Sequence, residues 1–383
     1  MKIIFTVHTY YPNSDGVQYV TQYLAEGLAK KGHEVTVLTV NSERTKEYKH
    51  NGVNVVSIFF KTKCSFPYKG KVEYIDTFKR LTKNCDALIN CCVQSPNNNC
   101  LLPYLKEINC KKILYLHGMH YFRINKEEYK APQYFVWHLL MNMRWFLFYK
   151  FSAKYFRQYD LMIDIHPNSP TFDYMKKLDV NCNMQVVLNA VENFEFTEIK
   201  QNVVKQYPYI KKKYFLCVAN YDKLKNQEML VKAYLKIKEK KDYELVCIGK
   251  KSDYSKYLKE ITSEEQNVHI LENIPREITK MFIFNATCGV LSSQKEVYPI
   301  FICETIACRH PYISTNVGCV EEIPGGLVVE TINEMSEAMQ RIISDEKLGR
   351  YLADKGYMFA KENLIQEKKI SELEKLIVSE ASK

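Results

Sequence analysis

One order of elements occurs twice in this chain, at its start and again near residue 214. Residues 3–7 (IIFTV) form a short apolar run suited to a strand buried on both faces. A loop, HTYYPNSDG, follows, and Val17, Val20, Leu24 and Leu28 then recur at helical spacing. Lys30-Lys31-Gly32 close that helix with cations and a glycine cap, and Val35–Val40 (VTVLTV) is a second buried strand. In the second copy Tyr214–Ala219 (YFLCVA) is the strand and NYDKLKN the loop. Leu230, Ala233 and Ile237 mark the helix face, and Glu244–Gly249 (ELVCIG) is the next strand. Strands that alternate with helices require a parallel sheet covered on both faces, which excludes helical bundles and β-sandwiches.

Further strand candidates follow each copy. They are Val53–Phe59, Ala87–Cys92, Lys112–His117, Leu161–His166 and Gln185–Leu188, then Val268–Leu271, Cys288–Ser292, Tyr312–Thr315 and Leu327–Glu330. The expected fold is α/β, with two doubly wound Rossmann-like domains facing across a cleft. Ligands bind such sheets beyond the carboxyl ends of the strands, so the cleft is the expected site. The domains are read as 1–195 on the acceptor side and 196–365 for the nucleotide sugar. The charged stretch 192–213 is the link, and a last helix, 366–383, is able to pack back on the first domain. A length of 383 residues suits two domains, and 46% hydrophobic with 26% charged residues excludes a disordered or fibrous chain.

Fifty-four Lys and Arg against 44 Asp and Glu leave a net charge of +10. That suits a phosphate-bearing partner without choosing among a nucleotide, a nucleic acid and an anionic membrane. The 13 cysteines have no C-x-x-C pair and read as reduced thiols. The apolar run at the N-terminus is too short for a signal-peptide core, and no stretch is long enough to span a bilayer. A cytoplasmic protein, peripheral on the inner face of the membrane, is the expectation.

The most informative stretch is LSSQKEVYPIFICETIACRHPYISTNVGCVEEIPGG, residues 291–326. Glu296 falls in a loop after a buried strand. Glu304 lies seven intervening residues later, in the first turns of a helix whose apolar face includes Phe301, Ile302 and Ile306. Carboxylates accept paired hydrogen bonds from vicinal hydroxyls, and the helix N-terminus offers free amides, those of Ile300 and Phe301, to a phosphate. From spacing alone, a solvated pair of glutamates on a loop and a helix is the better reading. Lys225, in the loop after Tyr214–Ala219, is placed to neutralise a diphosphate.

The pattern resembles the Glu-x(7)-Glu signature of the retaining glycosyltransferases of family 4 (glycosyl transferases group 1), which have the GT-B fold. Three other segments are similar to that family in order: TYYPNSDGVQYVTQYLAEGLAKKGHEVTVLT, VVLNAVENFEF at 186–196, and NVGCVEEI. The resemblance implies that Glu296 binds donor-sugar hydroxyls and Glu304 the ribose. It implies diphosphate binding by Lys225 and a catalytic position near the sugar for His117. The family's Arg position falls on Asn220, which carries no charge, and Lys223 is a candidate to supply it. Where the family has small glycines around the first Glu, this chain has Val297 and Pro299, and proline removes an amide donor. The paired glycines after the first strand become Asp15-Gly16. Gly16 keeps the close backbone approach, and Asp15 either binds an acceptor hydroxyl or caps the helix.

The implied activity is retaining transfer of a hexosyl unit from a UDP- or GDP-sugar to an acceptor hydroxyl, in cell-surface polysaccharide or glycolipid biosynthesis. No Asp-x-Asp occurs, so metal-independent catalysis with no cofactor is expected. The absence of G-x-G-x-x-G disfavours dinucleotide chemistry. Residues 134–159 hold 11 aromatics in 26 residues, with Trp137, Met141, Trp145, Phe148 and Tyr155 on one stripe. They suit an anionic membrane surface or a lipid-linked acceptor, or else a core helix. No nucleic-acid recognition module is present. An epimerase or hydrolase on the same fold, and a non-catalytic partner subunit, are the rival readings.

Overall fold

The computed structural model describes residues 1–12, 16–63, 66–119, 132–192, 207–210, 213–238, 240 and 242–381. The chain divides into two units, Met1–Leu188 with Lys369–Lys383, and Asn189–Lys368. The expected link, 192–213, and the boundary at 195/196 fall largely outside the described residues.

The first unit runs β1 (Lys2–Thr6), α1 (Gly16–Lys30), β2 (Glu34–Asn41), β3 (Lys46–His50), β4 (Val53–Phe59), β5 (Lys61–Lys63), β6 (Phe66–Lys69), α2 (Lys71–Thr82), β7 (Ala87–Cys91), α3 (Pro96–Asn99), β8 (Lys111–Tyr115), α4 (Pro132–Phe156), β9 (Leu161–Asp164), α5 (Pro170–Lys177) and β10 (Asn183–Val186). Its main sheet has the order β10-β9-β8-β7-β1-β2-β4-β3, parallel except for β3 against β4. The central strands are apolar because helices cover both faces. Ile3, Ile4, Phe5, Val37, Leu38, Leu88 and Ile89 have no exposed surface. The antiparallel edge β3 escapes the apolar pattern, since KEYKH is largely exposed. A turn at Asn51-Gly52, φ +45 and +86, makes the hairpin to β4.

The second unit runs β11 (Lys213–Val218), α6 (Gln227–Leu235), β12 (Tyr243–Gly249), α7 (Asp253–Ile261), β13 (Val268–Glu272), α8 (Arg276–Phe284), β14 (Cys288–Leu291), α9 (Ile300–Ala307), β15 (Tyr312–Thr315), β16 (Gly326–Val329), α10 (Ile332–Ser344) and α11 (Glu346–Asn363). The sheet β13-β12-β11-β14-β15-β16 is parallel throughout. Strand order reverses between β11 and β14 here, and between β1 and β7 in the first unit. These switch points leave a crevice beyond the carboxyl ends, where doubly wound sheets bind ligands.

The last helix, α12 (Gln366–Ala381), joins the first unit from Lys369 onward. Gly27 of α1 makes room for it, because a Cβ there would lie 2.3 Å from Ile370 Cδ1. Glu374 accepts from Lys31 Nζ (2.5 Å) and pairs with His33 Nε2 (2.8 Å), and Asn183 donates to Glu380 (2.8 Å).

Candidate active site

Two loops leave the carboxyl ends of β11 and β14, on either side of the second unit's switch point. The first, 219–226, carries Asn220, Lys223 and Lys225. Asp222 shapes it as an Asx turn, its Oδ1 accepting from the amides of Leu224 (2.7 Å) and Lys225 (3.1 Å). The second loop, 292–299, carries Glu296 and ends at Pro299, which caps α9. The loops are tied together. Ser292 Oγ donates to the Lys225 carbonyl (3.0 Å), and the Gln294 amide to the Leu224 carbonyl (2.7 Å).

Within this frame Lys225 Nζ donates to Glu296 Oε1 at 2.7 Å, and Ser293 Oγ donates to the same oxygen at 2.8 Å. Glu304 lies on α9 among the buried residues Phe301, Ile302, Cys303, Ile306 and Ala307. A carboxylate there is too costly to leave unpaired, and Arg276, the first residue of α8, donates to its Oε1. Each glutamate thus engages its protein donors through Oε1. Among the described residues neither Oε2 has a partner, so each can accept from a ligand hydroxyl. The amides of Ile302 and Cys303 bond the Pro299 carbonyl (3.1 and 3.3 Å). Those of Ile300 and Phe301 stand ahead of the first helical bond, where a helix N-terminus attracts phosphate.

Behind Glu296 the NVGC turn acts as a brace. The Cys319 amide donates to the Val297 carbonyl (3.2 Å), and Gly318, at φ +58, approaches so closely that a Cβ would lie 2.4 Å from that oxygen. The NAVE segment also belongs to this unit. Asn189 Nδ2 lies 3.5 Å from the Tyr298 carbonyl, and Glu192 pairs with Lys280 at 2.5 Å.

The structure therefore brings Asn220, Lys223, Lys225, Glu296, Ile300, Phe301 and Glu304 to one edge of the second sheet. Asn220 is exposed, with its carbonyl held by Gln227 Nε2 (3.0 Å). Lys223 is exposed and has no partner among the described residues. Gly16 and His117 belong to the first unit. Gly16 opens α1, and His117 follows β8, half-buried and stacked on Tyr115 at 5.0 Å between ring centroids. Asp15 lies outside the described residues. Nearby polar groups secure the carboxyl ends of β1 and β7. Thr6 Oγ1 donates to Asn90 (2.8 Å), Asn90 to the Tyr159 hydroxyl (2.6 Å), and Asn98 Nδ2 to the Cys91 carbonyl (2.5 Å).

Arg276, Ser293, Asp222 and the brace at Gly318 escape the sequence analysis. Arg276 did leave a signal: a cation in the first turn of a helix opposes the macrodipole, so it needs a carboxylate elsewhere. The aromatic segment is partly buried and partly exposed. Trp145, Tyr149 and Phe156 are buried in the first unit's core, whereas Val136, Leu139, Leu140, Met143, Leu147 and Phe151 are exposed on α4. The expected stripe is thus split, with Trp145 in the core and Trp137 at 56% exposure. No helix among the described residues is long and apolar enough to cross a membrane.

Residues 14–192 match the family model described as Glycosyltransferase Family 4, and residues 199–359 the one described as Glycosyl transferases group 1. N-acetyl-alpha-D-glucosaminyl L-malate synthase of Bacillus anthracis is 25% identical over 207 residues, 51% of this chain. The match spans about half of that relative, 53% of its length. Among solved structures, sucrose-phosphate synthase of Thermosynechococcus elongatus superposes with a TM-score of 0.80 at 16% identity, covering 99% of this chain and 98% of that one. Anabaena HepE, solved in complex with UDP, gives 0.73 at 13% identity, covering 99% and 100%. These likenesses show the fold: GT-B, with two Rossmann-like units.

Proposed function

Because the chain belongs to the group 1 glycosyltransferases of family 4, we propose that it transfers a hexosyl unit from a UDP- or GDP-sugar to an acceptor hydroxyl with retention. The observation that carries this reading is the pair Glu296 and Glu304. Each is held through Oε1 by a cation at the carboxyl edge of the second sheet, and each has Oε2 available. Glu304 takes the ribose and Glu296 the hydroxyls of the sugar. The bond from the anomeric carbon to the diphosphate breaks, and the acceptor oxygen bonds to that carbon on the face the diphosphate leaves. No enzyme nucleophile is assigned. Lys225, with Asn220 or Lys223 and the amides of Ile300 and Phe301, meets the charge on the departing diphosphate. From the first unit, His117 and Gly16 are assigned to the reaction centre.

The acceptor is a glycan or a lipid-linked sugar, and the role lies in cell-surface polysaccharide or glycolipid synthesis. Support for a peripheral position on the inner face of an anionic membrane comes from the exposed apolar side chains of α4 beside exposed Lys150 and Lys154.

A thermal-shift screen against UDP, GDP, ADP and their sugars tests the reading. A nucleotide at a hundred times its Kd adds about 2.7 kcal/mol of stability. UDP is the first choice, since HepE was solved with it. Transfer to an acceptor in EDTA, with product configuration read by NMR, completes the test. Absence of any nucleotide shift, or inversion at the anomeric carbon, would overturn the proposal. Rapid donor turnover without acceptor favours a hydrolase or epimerase, and donor binding without any transfer favours a non-catalytic subunit. Loss of activity in EDTA that Mg²⁺ or Mn²⁺ restores removes metal independence.

A further inference from the structure

At the amino edge of the first sheet two cysteines meet. Cys85 lies in the turn between α2 and β7, and Cys110 immediately precedes β8. The parallel register pairs Ala87 with Lys111, and the Lys111 amide donates to the Asp86 carbonyl (3.2 Å). Cys85 and Cys110 therefore flank the first rung of neighbouring strands, whose spacing is about 4.8 Å. Their side chains turn toward each other, and the two sulfurs share a hydrogen bond at 2.7 Å. Cys110 is buried, whereas Cys85 is partly exposed, so a small oxidant can reach one thiol and the other stands behind it.

We propose that Cys85 and Cys110 are a redox-modification site, forming a reversible disulfide when the protein meets a hydroperoxide. The Cys85 thiolate attacks the distal peroxide oxygen. The O–O bond breaks, Cys85 becomes a sulfenic acid, and the alkoxide or hydroxide leaves to take up a proton. Cys110 sulfur then attacks Cys85 sulfur, the S–S bond forms, and the hydroxyl leaves with the Cys110 proton as water. With hydrogen peroxide, two thiols and one peroxide give one disulfide and two waters. Electrostatics suits the order of attack. A hydrogen bond with Cys110 lowers the Cys85 pKa, while the same contact and burial push Cys110 up. Cys85 is therefore the attacking thiolate and Cys110 the resolving thiol.

Cys217 and Cys247 also pair across adjacent strands, β11 and β12, but both are buried. They serve as an internal comparison. The test treats the full-length protein with a small excess of hydrogen peroxide, quenches it, and titrates thiols after denaturation in a blocking reagent. The expected result is two fewer thiols than the 13 of the sequence, a Cys85–Cys110 cross-linked peptide under non-reducing mapping, and full recovery with dithiothreitol. In Cys110→Ser, Cys85 accumulates as a sulfenic acid that dimedone traps. In Cys85→Ser, Cys110 does not react. The proposal is overturned if the wild-type chain yields no such cross-link, if Cys85 passes to sulfinic acid with Cys110 still a thiol, or if Cys217–Cys247 forms instead. The wild-type mapping decides the matter even if a serine variant folds poorly.

Discussion

The Arg276–Glu304 pair is asymmetric, and its two halves should fail differently when removed. Glu304's side chain is 4% exposed and Arg276's is 38%. In Arg276→Ala the carboxylate stays buried without its cation. Breaking a fully buried pair this way costs about 3–5 kcal/mol. Arg276 is more than a third exposed, so water can partly replace it, and a discounted loss of about 1.5–3 kcal/mol is expected. In Glu304→Ala the residue that loses a contact is an arginine that water already reaches. Alanine is also the best helix former for α9, so stability should stay within about 1 kcal/mol of wild type. Nucleotide binding should reverse that ranking. Glu304→Ala loses the carboxylate that accepts the ribose hydroxyls, a contribution of about 1.5–3 kcal/mol for a charge-assisted hydrogen bond, so affinity falls at least tenfold. Urea unfolding followed by circular dichroism measures the first quantity. Hydrogen exchange over peptides spanning α8 and α9 localises it, and calorimetric titration with UDP or GDP measures the second. If Glu304→Ala destabilises as much as Arg276→Ala, burial does not govern the pair. Undiminished nucleotide affinity in Glu304→Ala removes that residue from the site.

Three further substitutions, with one control, test other parts of the frame. Gly318→Ala places a Cβ against the Val297 carbonyl at φ +58, and should cost about 1–3 kcal/mol while weakening donor binding through the Glu296 loop. Gly349→Ala, on α11 with nothing within 4 Å, is the control and should stabilise by about 0.5–1 kcal/mol; equal effects in the two variants refute the brace. Lys223→Ala should lower kcat more than it raises KM, because its charge matters most as the diphosphate leaves, and kcat within about twofold of wild type, under ~0.5 kcal/mol of barrier, refutes that role. Hydrogen bonds from Lys31 and then His33 hold Glu374 below its ordinary carboxylate value. A depressed folded pKa adds stability above the unfolded value and loses it as pH falls through the folded one. The stability difference between wild type and Glu374→Gln should therefore begin to shrink as pH falls below the unfolded carboxylate value, and a difference that stays constant from neutral pH down through the acid range refutes the linkage.

The parallel sheets were legible because burial on both faces leaves no room for polar side chains. Val53–Phe59 and Tyr312–Thr315 appear in the sequence with the limits the structure gives them. β3 was not legible, for the converse reason. An edge strand meets water, so KEYKH carries no apolar signal, and only Asn51-Gly52 marks its hairpin. β5 and β6 are short and exposed in the same way. The segment 134–159 was ambiguous in sequence because α4 is apolar on nearly every side. Periodicity distinguishes faces only when one of them is polar, and here both the core face of Trp145, Tyr149 and Phe156 and the exposed face of Leu139, Met143 and Leu147 are apolar.

The site divides along a similar line, between chemistry carried by neighbours in sequence and chemistry assembled by the fold. Glu296, Glu304 and the amides of Ile300 and Phe301 lie within one loop and one helix, so a single stretch displays them. Lys225 comes from another βα turn, yet its position after a strand and before a helix marks it. Arg276 also follows a strand and opens a helix, but nothing in its own stretch points to its partner, which lies 28 residues on. What brings the two together is strand order: β11, β13 and β14 end at one edge of the sheet, so the turns that follow them converge. A buried carboxylate in an apolar helix such as α9 raises the question of where its counter-charge lies. The parallel topology restricts the answer to the βα turns at that edge, and a cation opening one of the following helices against its dipole is the candidate that physics singles out. Arg276 is that residue, so the missing half of the site follows from Glu304's burial once the strand order is known.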